Sequence, residues 1–257
     1  MKISTTILAI FATILMNACA TVKPNNHIDL TARPFIEKSD AYVMVPQDEL
    51  YAQIKNSNVS TFMGGGLIPA LIDASVDNAR TKKAEELIGT INNKLLEFDY
   101  ANYAQEEIEN KLGGVSWLGL DKVQLERKRE GNDFFVSTME NSQASAVLYL
   151  AVGYSLTPDF DAVTTKVAAL MFPKSEGLMA FREKPKDSKK LNETNDNIYR
   201  NTFSNTVNLG LMGDREENAA TLANSDGQVI RDALLENIEV IANAIRADIE
   251  LGEPVEE

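Results

Sequence analysis

Cysteine and histidine each occur once in the 257 residues, as Cys19 and His27. A single cysteine excludes a disulfide within the chain, so stability must come from packing. A single histidine leaves little room for a Ser-His-Asp site, which needs an imidazole to carry the proton. Zinc in its usual histidine and cysteine environment lacks a ligand set. His27 itself lies in a polar stretch with Pro24 and Pro34, which reads as a tether, and is expected to be a solvated tether residue. Positive charge is also short: 25 Lys and Arg face 38 Asp and Glu, a formal charge of −13. That balance opposes nucleic-acid partners and adhesion to anionic lipid. Acidic residues are too numerous for one pair to stand out, so a carboxylate-based hydrolase is only a second alternative. Asp159 with Asp161, and Asn195-Asp196-Asn197, are partial oxygen clusters that turn chemistry explains better than calcium. No cofactor and no metal are expected. After the first 20 residues no run approaches the ~20 apolar residues of a membrane span.

What is present begins at the amino terminus. Lys2 is followed by an apolar core, Ile7 to Leu15, which suits a secretory signal and is too short to cross a bilayer. Met16-Asn17-Ala18-Cys19 then places small residues before the cysteine. This resembles the lipobox of bacterial lipoproteins, in which Leu, a small residue, and Gly or Ala precede Cys. Ala18 and Cys19 match that pattern, and Met16 and Asn17 depart from its commonest residues. The resemblance implies cleavage after Ala18, a diacylglycerol thioether on Cys19 and acylation, palmitate included, of the new amine. Two or three acyl chains hold a protein stably at a membrane, whereas one does so only marginally. Ala20, in place of the aspartate of inner-membrane retention, implies the outer membrane, with the body facing the periplasm. The expected layout is a signal peptide over 1–18, a lipidated tether over 19–40 and a periplasmic α/β domain over 41–257.

The body reads as strands and helices. Ala41–Pro46 is a first strand, and Glu49–Ile54 a helical turn. A helix starts near Leu67 or Pro69 and runs to Glu97, with Leu87, Ile88, Ile91 and Leu95 on one stripe. Asp99 caps a second helix over Tyr100–Leu112, which Gly113-Gly114 stops. Lys122–Lys128 is a half-buried strand and Phe134–Gln143 a short helix. Val147–Leu156 is apolar on both faces and is therefore central. Ala162–Phe172 is the next strand, followed by a polar loop over Pro173–Asp196. Asn197–Asn208 alternates, with Tyr199, Phe203 and Val207 inward and Arg200, Ser204 and Asn208 wet. Asn218–Leu251 is one long helix with a weak point at Gly227. The early crossovers predict parallel pairing and the later run an antiparallel meander. The fold class is α/β (α+β): one domain, a mixed sheet of about five strands with helices packed on it.

One segment resists this scheme. Gly64, Gly65 and Gly66 run into Leu67, Ile68, Leu71 and Ile72. No Lys-Ser/Thr pair follows to make a phosphate loop. Glycines permit close backbone approach, so the segment is expected to form a contact within the domain, with another subunit or with the membrane. The body resembles no family closely; only its order of elements is similar to the periplasmic body of the curli secretion channel lipoproteins. The reading is therefore an outer-membrane-anchored binding or scaffold lipoprotein of the cell envelope. The alternative is a ring-forming lipoprotein of an envelope secretion or assembly system.

Overall fold

A computed structural model describes residues 25–52, 78–127, 132–182 and 196–251. A 3-10 turn over Leu30–Phe35 precedes β1 (Ser39–Met44) and a two-residue β2 (Tyr51–Ala52). Helices α1 (Asn78–Leu95) and α2 (Tyr100–Leu112) lead to β3 (Leu120–Glu126) and α3 (Asn132–Asn141). Then come β4 (Ala146–Leu156), β5 (Ala162–Pro173), a short α4 (Glu176–Met179) and β6 (Tyr199–Asn208). Helices α5 (Arg215–Asn224) and α6 (Gln228–Leu251) complete the described chain.

The sheet order is β3-β1-β4-β5-β6, with β2 added beside β4. β1 runs parallel to both β3 and β4, because helical crossovers separate these strands in sequence. β4, β5 and β6 are antiparallel neighbours. The mixed sheet, single domain and long carboxy-terminal helix are as the sequence predicts.

β4 is central because it is apolar on both faces. Leu148, Leu150, Val152, Tyr154 and Leu156 join the larger core with Ile108 of α2 and Ile238, Ile241 and Ile245 of α6. Val147, Tyr149 and Ala151 join a smaller core with Tyr42, Phe172, and Phe135 and Met139 of α3. Tyr149 is its hub: it stacks on Tyr42 at 5.5 Å and meets Phe172 edge-on at 5.7 Å. The Thr138 and Tyr149 hydroxyls share a hydrogen bond, which lets the phenol be buried without loss.

α2 forms where expected. The Asp99 carboxylate accepts the Asn102 N–H at 3.1 Å, and Gly113 follows the last turn. Tyr100, Ala104, Ile108 and Leu112 recur at four-residue spacing and are buried.

Four expectations are corrected. Residues 25–40 belong to the domain and are not tether: Ile28, Ala32 and Ile36 are buried, and Asn26 pairs with Arg200 at the start of β6. That pairing also buries Arg200, which had been expected on a wet face. In place of the helical turn expected over Glu49–Ile54, the described residues there hold a strand, Tyr51–Ala52, which pairs with Ser155 and Leu156 of β4, and the Asn92 side chain occupies both the N–H and the C=O of the preceding Leu50. The final helix is two helices. Ser225 is extended and Gly227 adopts φ 82°, a conformation glycine tolerates, so the chain turns between α5 and α6. A capping box of Asp214 and Glu217 opens α5. The predicted helix start near Leu67 or Pro69 lies outside the described residues.

Candidate functional site

The first residues of β1 and β4, the last of β5 and the start of β6 share one end of the sheet, here the near end. The amino-terminal segment is bound there. Asn26 and Arg200 exchange backbone hydrogen bonds of 2.8 and 2.7 Å. Asp29 caps the 3-10 turn, accepting the Thr31 N–H at 2.8 Å and its hydroxyl at 2.6 Å. From that turn the Arg33 guanidinium donates to the carbonyls of Ile249 and Glu250 at 3.1 and 2.7 Å. It thus satisfies carbonyls in the last turn of α6, which have no partner within the helix. The same guanidinium lies 4.7 Å from the Trp117 ring centroid, a cation–π contact.

Beneath this segment Asp248 of α6 is buried, at 3% exposure. Its carboxylate accepts the Tyr199 phenol at 2.6 Å and the Asn201 amide at 3.0 Å. Its other oxygen lies 3.1 Å from His27 Nδ1. Burial and the Asp248 charge push the Tyr199 phenol well above its ordinary pKa, so it remains a donor. The carboxylate thus joins the amino-terminal segment, β6 and the last helix. Histidine, carboxylate and phenol meet here in a structural lock, and the expectation of His27 as a solvated tether residue is replaced.

A second feature lies on the other face. A cleft of about 280 Å³ opens between α3 and the β3–β1 edge, lined in part by Asp40, Tyr42, Lys122, Gln124, Ser137 and Asn141. Asp40 is buried, and one of its oxygens accepts the Ser142 hydroxyl at 2.6 Å. Lys174 donates to the Ser142 carbonyl behind it. Burial lowers the Lys174 pKa, and the Asp40 charge partly restores it. Burial and, second, the Asp40 charge raise that of Tyr42. Amide, hydroxyl and ammonium groups beside aromatic rings suit a small polar ligand.

Among the described residues no group of three or more His, Cys, Asp and Glu side chains is arranged to hold a metal. None of the described helices is long and apolar enough to cross a membrane. Asp161 accepts the Thr157 hydroxyl at 2.6 Å within the β4–β5 turn, as turn chemistry requires. Cys19 and the contact segment Gly64, Gly65, Gly66, Leu67, Ile68, Leu71 and Ile72 lie outside the described residues. Sequence reasoning missed Arg33, Asp248 and the Asp40 cleft. A signal existed for Asp248, which falls three residues after Ile245 on the buried stripe of α6.

No family model matches the chain, and no curated protein matches it. Among solved structures, a PelC dodecamer from Paraburkholderia phytofirmans aligns at 9% identity and a TM-score of 0.27, covering 86% of this chain and 92% of that one. A single-substitution variant of the same dodecamer aligns at 8% identity and 0.24, covering 84% and 96%. Scores this low do not mark a common fold.

Proposed function

We propose that this chain is a lipoprotein, held at the bacterial outer membrane by acyl chains on Cys19, that works on the periplasmic side as a binding or scaffold module. One observation carries the reading: Ala18-Cys19 stands behind a short apolar core, at the only cysteine. Two or more acyl chains there give stable attachment. The α+β body, with its polar cleft beside Asp40, supports the binding role. Cys19→Ala in the full chain is expected to abolish palmitate incorporation and move the protein from the membrane to the soluble fraction. Continued labelling of that variant would contradict the proposal.

A further inference from the structure

We infer that the near end of the domain docks on the surface of the bilayer that holds Cys19, through Leu30, Phe35 and Leu251. The inference rests on the anchoring proposed above and adds an orientation to it.

The first support is chain length. Cys19 and Asn25, the first described residue, are six residues apart (25 − 19). Fully extended, six residues span at most about 22 Å. β4 has 11 residues, so the sheet is about 36 Å long at ~3.3 Å per residue. Asn26 is fixed near one end of that length, because Arg200 pairs with Leu170, which pairs with Tyr149 near the start of β4. The link is therefore shorter than the sheet, and the near end is the end it holds against the membrane.

The second support is what that end exposes. Leu30 is 49% exposed, Phe35 46% and Leu251 59%. Leu30 and Phe35 bound the 3-10 turn, and Arg33 of that turn bonds to the last turn of α6, where Leu251 lies. All three thus lie on two elements that Arg33 joins. Their burial in the core is not needed for the fold, since Ile28, Ala32 and Ile36 already supply the inward side chains of this segment. The far end exposes apolar side chains as well, Met212 at 98%, Leu96 at 79% and Tyr51 at 46%, so the short link, and not exposure by itself, selects the near end. With a chain charge of −13, docking should depend on apolar contact and not on anionic lipid.

The test uses the chain from Cys19 to Glu257, which retains every described element. Its single thiol is coupled to a maleimide lipid in phosphatidylcholine vesicles containing brominated acyl chains. The anchor is then installed chemically, independent of any cellular acylation. With Trp117→Phe as background, Leu30→Trp and Met212→Trp report the two ends by fluorescence quenching. The expected result is at least twofold stronger quenching for Leu30→Trp, with Met212→Trp near the level seen without bromine. Equal quenching at both positions, or none at Leu30→Trp, overturns the inference. So does a concentration-dependent blue shift of Leu30→Trp in solution without quenching on vesicles, which would show a second copy covering the patch. Absence of palmitate on Cys19 in cells would refute the anchoring reading separately, whatever the vesicles show.

Discussion

The two ends of the sheet are closed in different ways. At the near end the ties are long-range: Arg33 reaches the last turn of α6, and Asp248 of α6 joins Tyr199, Asn201 and His27. The far end has long-range ties too, Gln47 to Tyr154, Asn92 to Leu50 and Asn218 to the Asp159 carbonyl, but none of these involves the amino-terminal segment, and beside them stand local ones. Asp214 accepts the N–H groups of Glu216 and Glu217, Thr157 bonds to Asp161, and Arg127 pairs with Asp99 at the solvent-facing start of α2. Those ties hold turns and neighbouring elements together, but they do not join residues 25–36 to the last helix. The near end joins the amino-terminal segment to the carboxy-terminal helix, as expected if load from an anchor enters there.

Leu150→Ala should produce the largest effect and strike both ends equally, because β4 is the strand they share. Leu150 is fully buried, and its truncation should cost about 2–5 kcal/mol. An unchanged denaturation midpoint would show that β4 is not the common support.

Asp248→Ala should separate the ends. It strands the Tyr199 phenol and the Asn201 amide in a buried site, at about 1–3 kcal/mol for a stranded group. Limited proteolysis should then cut first within residues 25–36, while the β4–β5 turn keeps its resistance. Protection of residues 25–36 at wild-type level would remove the proposed lock.

Asp214→Ala should cost about 1 kcal/mol, the usual loss for a helix cap, and leave the amino-terminal segment protected. Hydrogen exchange confined to α5 and its flanks would confirm a local tie.

Arg127→Ala should have the smallest effect, below about 1 kcal/mol, because both partners are substantially solvent-exposed. Burial raises the Asp99 pKa, but the Arg127 hydrogen bonds, the Asn102 N–H and the Arg127 charge outweigh it and hold it below the ordinary value. A carboxyl with a depressed folded pKa contributes its stability above the unfolded pKa, near 4, and loses it as pH falls through the folded value. Wild type and Arg127→Ala should therefore converge in stability as pH falls below about 4. A constant difference down to pH 2 would contradict this.

Much of the fold was legible because it depends on periodicity. β4 declared itself by apolar residues on both faces, and α2 by Asp99 and Gly113 at its ends. The break between α5 and α6 was hidden because Leu222 and Ile230 stay close to helical phase across the turn at Gly227. The segment over 25–40 looked like tether because its polar residues bond to backbone groups far away in sequence. Its one periodic signal was the four-residue spacing of Ile28, Ala32 and Ile36. The Asp40 cleft left no sequence trace, since its walls come from β1, β3 and α3 and are joined only by strand register.

The most direct measurement is the intact mass, with the amino-terminal peptide, of the protein isolated from outer membranes. The account predicts a chain that begins at Cys19 and carries diacylglycerol on its sulfur. A soluble chain with an unmodified Cys19, or one cut after Ala20, would contradict it.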